Sequence, residues 1–136
     1  MKSRRFWAII PAALTMALAI ATSAHADTVQ TPLQSAVVVT GNSGGSQSSS
    51  CGFISGTPSQ VVVVSQPTPL RFVVESQGQP TLLITGAGQN RCAMADAYSG
   101  GMVQIPGVLN PGTYSVFVGD RAQGSHPYTL RITQGN

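Results

Sequence analysis

Three side chains could do acid-base or nucleophilic chemistry given the right company. Ser43 sits in Gly41-Asn42-Ser43-Gly44-Gly45-Ser46, and Asp120 and His126 lie in Val118 to Tyr128, VGDRAQGSHPY. A serine hydroxyl becomes a nucleophile only when a histidine takes its proton, an acid orients that histidine, and donors await the oxyanion. The chain has two histidines, and the one upstream of Ser43 is His25, close behind the N-terminal apolar run. Ser43 also lies in a stretch, Gly41 to Ser50, so rich in Gly, Ser and Gln that such a hexamer arises from composition alone. Ser43 is therefore expected to be inert and the stretch to be a flexible surface connector.

The run Gly-Asn-Ser-Gly-Gly resembles the loop around the nucleophile of chymotrypsin-like proteases, but that site is built between two barrels and needs far more chain than is present. In the second segment, turn chemistry accounts for each residue. Asp120 can cap the turn through a nearby backbone amide, Gly124 can supply positive φ, and Pro127 holds His126 extended at the entry to a strand. Ser125 and His126 are then neighbours on an extended chain and point to opposite sides. A structural hairpin is expected, with Asp120, Arg121 and His126 left as candidate ligand contacts. A small hydrolase using the Asp120 to His126 loop is the alternative. Phe117, opposite in parity to Tyr114, Val116 and Val118, is the candidate for an exposed ring that could stack on a ligand. One histidine outside the leader and a cysteine pair cannot assemble a zinc site, and few acids remain for calcium, so no metal and no cofactor are expected.

These residues must be positioned by the part of the chain that remains after export. Lys2, Arg4 and Arg5 precede an apolar run from Phe6 to about Ala21 and the small-residue site Ala24-His25-Ala26, which predicts a signal peptide over 1–26, cut before Asp27. Ser3-Arg4-Arg5 is similar to a twin-arginine signal, but Trp7 and Ala8 depart from it and the ordinary secretory route is expected. Three of the seven Lys and Arg belong to this leader, leaving four arginines against Asp27, Glu75, Asp96 and Asp120. The pI near 9.3 is a property of the leader, and a neutral domain offers almost no attraction for a phosphate backbone. Neither nucleic acid nor membrane insertion after cleavage is expected.

About 110 residues make one domain with a real core. The two cysteines, Cys51 and Cys92, in an exported chain predict a disulfide. QVVVVSQ, PLRFVVES, PTLLITG, CAMADAY, GMVQIP, TYSVFVG and PYTLRIT, with SAVVVTG before them, are short runs mostly rich in β-branched or aromatic residues and bounded by Gly, Pro, Ser or Asn. Alternation puts Leu70, Phe72 and Val74 on one face and Tyr128, Leu130 and Ile132 on another. The expected fold is an all-β antiparallel two-sheet β-sandwich, jelly-roll-like, with residues 27–50 as an N-terminal strand and connector and 51–136 as its body.

Ile105 to Thr133 resembles the last two strands of bacterial pre-peptidase C-terminal domains. Pro111, Gly112, Thr113 and Tyr114 match the opening of one strand, and Tyr128, Thr129 and Leu130 the close of the next. The resemblance implies a jelly-roll-like sandwich serving as an accessory or targeting module of secreted hydrolases. The aspartate-rich strand of that family is represented here only by AMADAY, and Cys51 and Cys92 are additions, so neither calcium nor a peptidase partner carries over. The chain also resembles small exported cyanobacterial proteins of unassigned activity. The expectation for function is a non-catalytic, stand-alone exported module, periplasmic or extracellular, that binds an envelope polysaccharide or protein. A purely structural envelope component is the remaining alternative.

Overall fold

Alternating residues drive the architecture. In the computed structural model, which describes residues 27–96 and 98–135, Leu70, Phe72 and Val74 are buried while Arg71 and Glu75 face solvent, and Tyr128, Leu130 and Ile132 are buried opposite an exposed Arg131. The expected leader and its cleavage site before Asp27 lie outside the described residues, which contain no helix long and apolar enough to cross a membrane.

The strands in chain order are β1 (Thr28–Gln30), β2 (Val37–Asn42), β3 (Gln47–Ser49), β4 (Gly52–Ile54), β5 (Gln60–Val64) and β6 (Thr68–Ser76). They continue with β7 (Pro80–Gly86), β8 (Gln89–Met94), β9 (Met102–Leu109), β10 (Gly112–Asp120) and β11 (Pro127–Gln134). Sheet A is centred on β10, which has β7 and then β8 along one edge. Along its other edge β5 and β4 follow end to end, because Tyr114 to Val116 pair with both β5 and β7, while Asp120 pairs with both β4 and β7. β1 lies beyond β5 and β3 beyond β4. Sheet B has the order β2-β11-β6-β9 and is antiparallel throughout. The inward faces of the two sheets, including Val62, Phe72, Leu82, Tyr114, Val116 and Leu130, make one core.

Two features depart from the strand pattern expected of the sequence. β1 pairs parallel to β5, and β3 arises from Gln47, Ser48 and Ser49 where a connector was expected. β3 pairs with β4, whose Phe53 pairs in turn with Asp120, so pairing rather than side-chain propensity makes β3 a strand. Most of the Gly41 to Ser50 stretch lies at the surface as expected, but Ser43 and Gly44 within it are buried, Ser43 being only 2% exposed. CAMADAY contributes only its first three residues to β8, and Asp96 instead accepts from the Tyr98 amide in a turn.

Cys51, at the turn between β3 and β4, is bonded to Cys92 on β8. Cys92 lies opposite Leu83, on the side of sheet A turned away from the core, so the disulfide lays the β3-β4 hairpin over that outer side. Thr81 also points outward, yet it is fully buried. Sheet B's outer face carries no such cover among the described residues. Its rows, read across β2, β11, β6 and β9, are Thr40, Thr129, Glu75 and Met102, then Val38, Arg131, Val73 and Gln104. Its two edges differ. On β9, Pro106 lacks an amide, and Arg91 reaches from β8 to donate to the Val108 carbonyl at 3.3 Å. β2 pairs only with β11 among the described strands and holds no Pro or charge.

Candidate functional site

The structure brings together Ser43, Asp120 and His126, which lie 77, 83 and 6 residues apart pairwise. Ser43 follows β2 in sheet B, Asp120 ends β10 in sheet A, and His126 immediately precedes β11 in sheet B. The two sheets are clasped at one end of the sandwich by these three polar residues. Ser43 donates its amide to the His126 carbonyl at 2.8 Å, and the His126 amide donates back to Ser43 Oγ at 3.2 Å. The Ser43 hydroxyl donates to Asp120 Oδ2 at 3.3 Å, and His126 Nδ1 meets the same oxygen at 2.8 Å. A carboxylate only accepts, so the ring nitrogen is the donor in that contact. Asp120 Oδ1 accepts from the Ala122 amide at 3.2 Å, the turn cap expected of its position.

Close backbone approach makes this packing possible. A Cβ on Gly78 would come within 2.3 Å of His126 Nδ1 and 2.7 Å of Asp120 Oδ2. Gly44, at φ +84°, similarly lies against the Gly124 carbonyl, which a Cβ would meet at 2.3 Å.

The order of the three groups decides their chemistry. A catalytic triad has the histidine in the middle, one ring nitrogen on the acid and the other on the serine. Here the acid is in the middle. The Ser43 hydroxyl donates its hydrogen bond to the carboxylate, accepts from a backbone amide and is buried, so no ring nitrogen bonds its hydrogen and no substrate has a path to its oxygen. Asp120 is buried as well, at 1% exposure, whereas the His126 side chain is 43% exposed.

The other candidate residues lie apart from this cluster. Arg121 is tied to the Ala95 carbonyl at 2.9 Å. Phe117 points outward from sheet A as its parity requires, but it is half-buried and on the opposite side of β10 from Asp120. No group of three or more metal-ligating side chains is gathered among the described residues.

Missed by sequence reasoning is an open groove of about 790 Å³ at the end of sheet B, where Thr40, Glu75, Gln77, Met102, Pro127 and Thr129 come together. Each lies in a strand or turn that reads as ordinary, and only the cross-strand register joins them.

Known proteins bear on this geometry in three ways. No protein-family model matches the chain. An uncharacterised protein of Synechococcus elongatus is 36% identical over 134 residues, covering 94% of this chain and 96% of that one. The crystal structure of the pre-peptidase C-terminal domain of collagenase from Bacillus anthracis superposes with a TM-score of 0.53 at 14% identity, over 84% of this chain and all of that domain. The similarity to that domain is one of fold, as the strands from Ile105 to Thr133 led us to expect.

Proposed function

We propose that this chain, which belongs to the same family as the uncharacterised Synechococcus elongatus protein, is an exported, non-catalytic β-sandwich that acts by binding a polysaccharide or a protein at the cell envelope or outside the cell. The observation that carries this reading is the central place of Asp120. Its Oδ2 holds both the Ser43 hydroxyl and the His126 ring, which uses the cluster's polar groups to join the sheets and leaves no activated nucleophile. Open surface that mixes polar and apolar groups is found instead in the groove at the end of sheet B. The leader sequence and the Cys51-Cys92 bridge support export.

The test uses the exported chain on two assays. Retention on insoluble envelope polysaccharide or on immobilised envelope protein, lost when Thr40→Trp fills the groove, is the expected result. Absence of retention on both would leave a structural envelope component. The hydrolase reading rests on the half-exposed His126 ring with Nδ1 on Asp120, and it requires ester or glycoside turnover that disappears in His126→Ala. Such turnover would overturn the binding reading.

A further inference from the structure

The four arginines of the domain divide into two pairs. Arg91 and Arg121 are used by the fold, each donating to a backbone carbonyl, that of Val108 and that of Ala95. Arg71 and Arg131 are not. Both are exposed on the outer face of sheet B, and neither is in an ion pair among the described residues, where His126 with Asp120 is the one pair found. Arg71 is steadied by Gln104 Oε1 at 3.2 Å.

Register makes the two arginines neighbours. Arg131 stands opposite Val73, whose same-face neighbours along β6 are Arg71 and Glu75. Arg131 thus stands at the same diagonal spacing, about 7–8 Å between Cα atoms, from Arg71 and from Glu75, and Glu75 is in an ion pair with neither arginine. Neither guanidinium is held in an ion pair among the described residues, and apart from the bond of Arg71 to Gln104 both are turned to solvent.

Resting on the binding reading above, we infer that the outer face of sheet B recognises a polysaccharide bearing carboxylate or sulfate groups, with Arg71 and Arg131 taking the anions. A guanidinium fork can donate two parallel hydrogen bonds to two oxygens of one oxyanion, whether the planar carboxylate or the tetrahedral sulfate. The groups around them suit sugar hydroxyls: Thr40, Thr129 and Thr133, the Gln104 amide and the Glu75 carboxylate, which accepts from a hydroxyl and repels a ligand that is anionic at every position. Val38, 55% exposed, and Met102, 41% exposed, offer apolar contact for sugar C–H faces. No described element overlies the face, so an extended chain can lie across the strands. Two cations make two anion contacts, too few for a nucleic acid backbone.

The experiment measures retention of the exported chain on polygalacturonate, dextran sulfate, neutral dextran and poly-glutamate, with Arg71→Gln, Arg131→Gln and the double variant. The expected result is retention on polygalacturonate, dextran sulfate or both, the preference identifying the anion. Each single variant should bind about tenfold more weakly, with a thermal midpoint unchanged because both guanidiniums are exposed. Unchanged affinity in the folded double variant, equal retention on dextran, or tighter binding to poly-glutamate would overturn the inference. Retention on dextran that Thr40→Trp abolishes would defeat the anionic ligand while leaving the binding reading standing. No retention on any polymer or on envelope protein would defeat both.

Discussion

Over sheet A the β3-β4 hairpin lies across the outer side and is bonded there through Cys51 and Cys92, so that Thr81, an outward-pointing residue, has no contact with solvent. Over sheet B nothing described lies across the corresponding side, and Arg71, Arg131, Glu75 and Val38 stand in water. Both faces are built from strands of the same alternating kind. What separates them is access to water: polar groups near sheet A are enclosed by the protein, bonded there as Asp120 is or left without a partner as Thr81 Oγ1 is, and those on sheet B meet solvent. A polar residue consumed by the fold is poor evidence of function even when it is serine, histidine or aspartate, and an unpaired arginine on a bare sheet is better evidence.

Removing the tether breaks the contrast most severely. Cys51→Ser with Cys92→Ser frees a loop with a sequence separation of 41, and calorimetry should find about 4 kcal/mol less stability in the chain-entropy account. Hydrogen exchange should rise at β3 and β4 but not in sheet B. Asp120→Ala comes next. It deprives the Ser43 hydroxyl, the His126 ring and the Ala122 amide of their shared acceptor, which should cost about 2–3 kcal/mol and lower the thermal midpoint by about 10–15 °C. A fall below about 4 °C, the scale of a single kilocalorie, would show that the clasp is ornamental. Thr81→Val sharpens the comparison from the other side. Thr81 Oγ1 is buried without a hydrogen-bond partner, so an isosteric methyl should leave stability unchanged or raise it by up to about 1 kcal/mol. Arg71→Gln with Arg131→Gln should move the midpoint least of all, within about 2 °C.

The sequence is legible where information is local. Period-two alternation in β6 and β11 identifies Leu70, Phe72, Val74, Tyr128, Leu130 and Ile132 as core, because burial on one face needs only the pleat. The Asp120 turn cap is legible for the same reason, its partner being two residues away. The clasp is not. Ser43 meets Asp120 across 77 residues, and no spacing in Gly-Asn-Ser-Gly-Gly records that β2 and β10 end side by side. β3 escapes notice because Gln47, Ser48 and Ser49 have little strand preference of their own, and its extension is imposed by β4. The parallel pairing of β1 with β5 likewise depends on where a three-residue segment is delivered, not on what it contains.

The unequal edges of sheet B also bear on how copies of the molecule could join. Growth of a sheet into a fibre needs two receptive edges on every molecule, one to add to and one to be added to. The β9 edge, with Pro106 lacking an amide and Arg91 holding the Val108 carbonyl, refuses one of them. Strand addition through sheet B therefore ends at two molecules joined β2 to β2, and polymerisation by that route terminates itself.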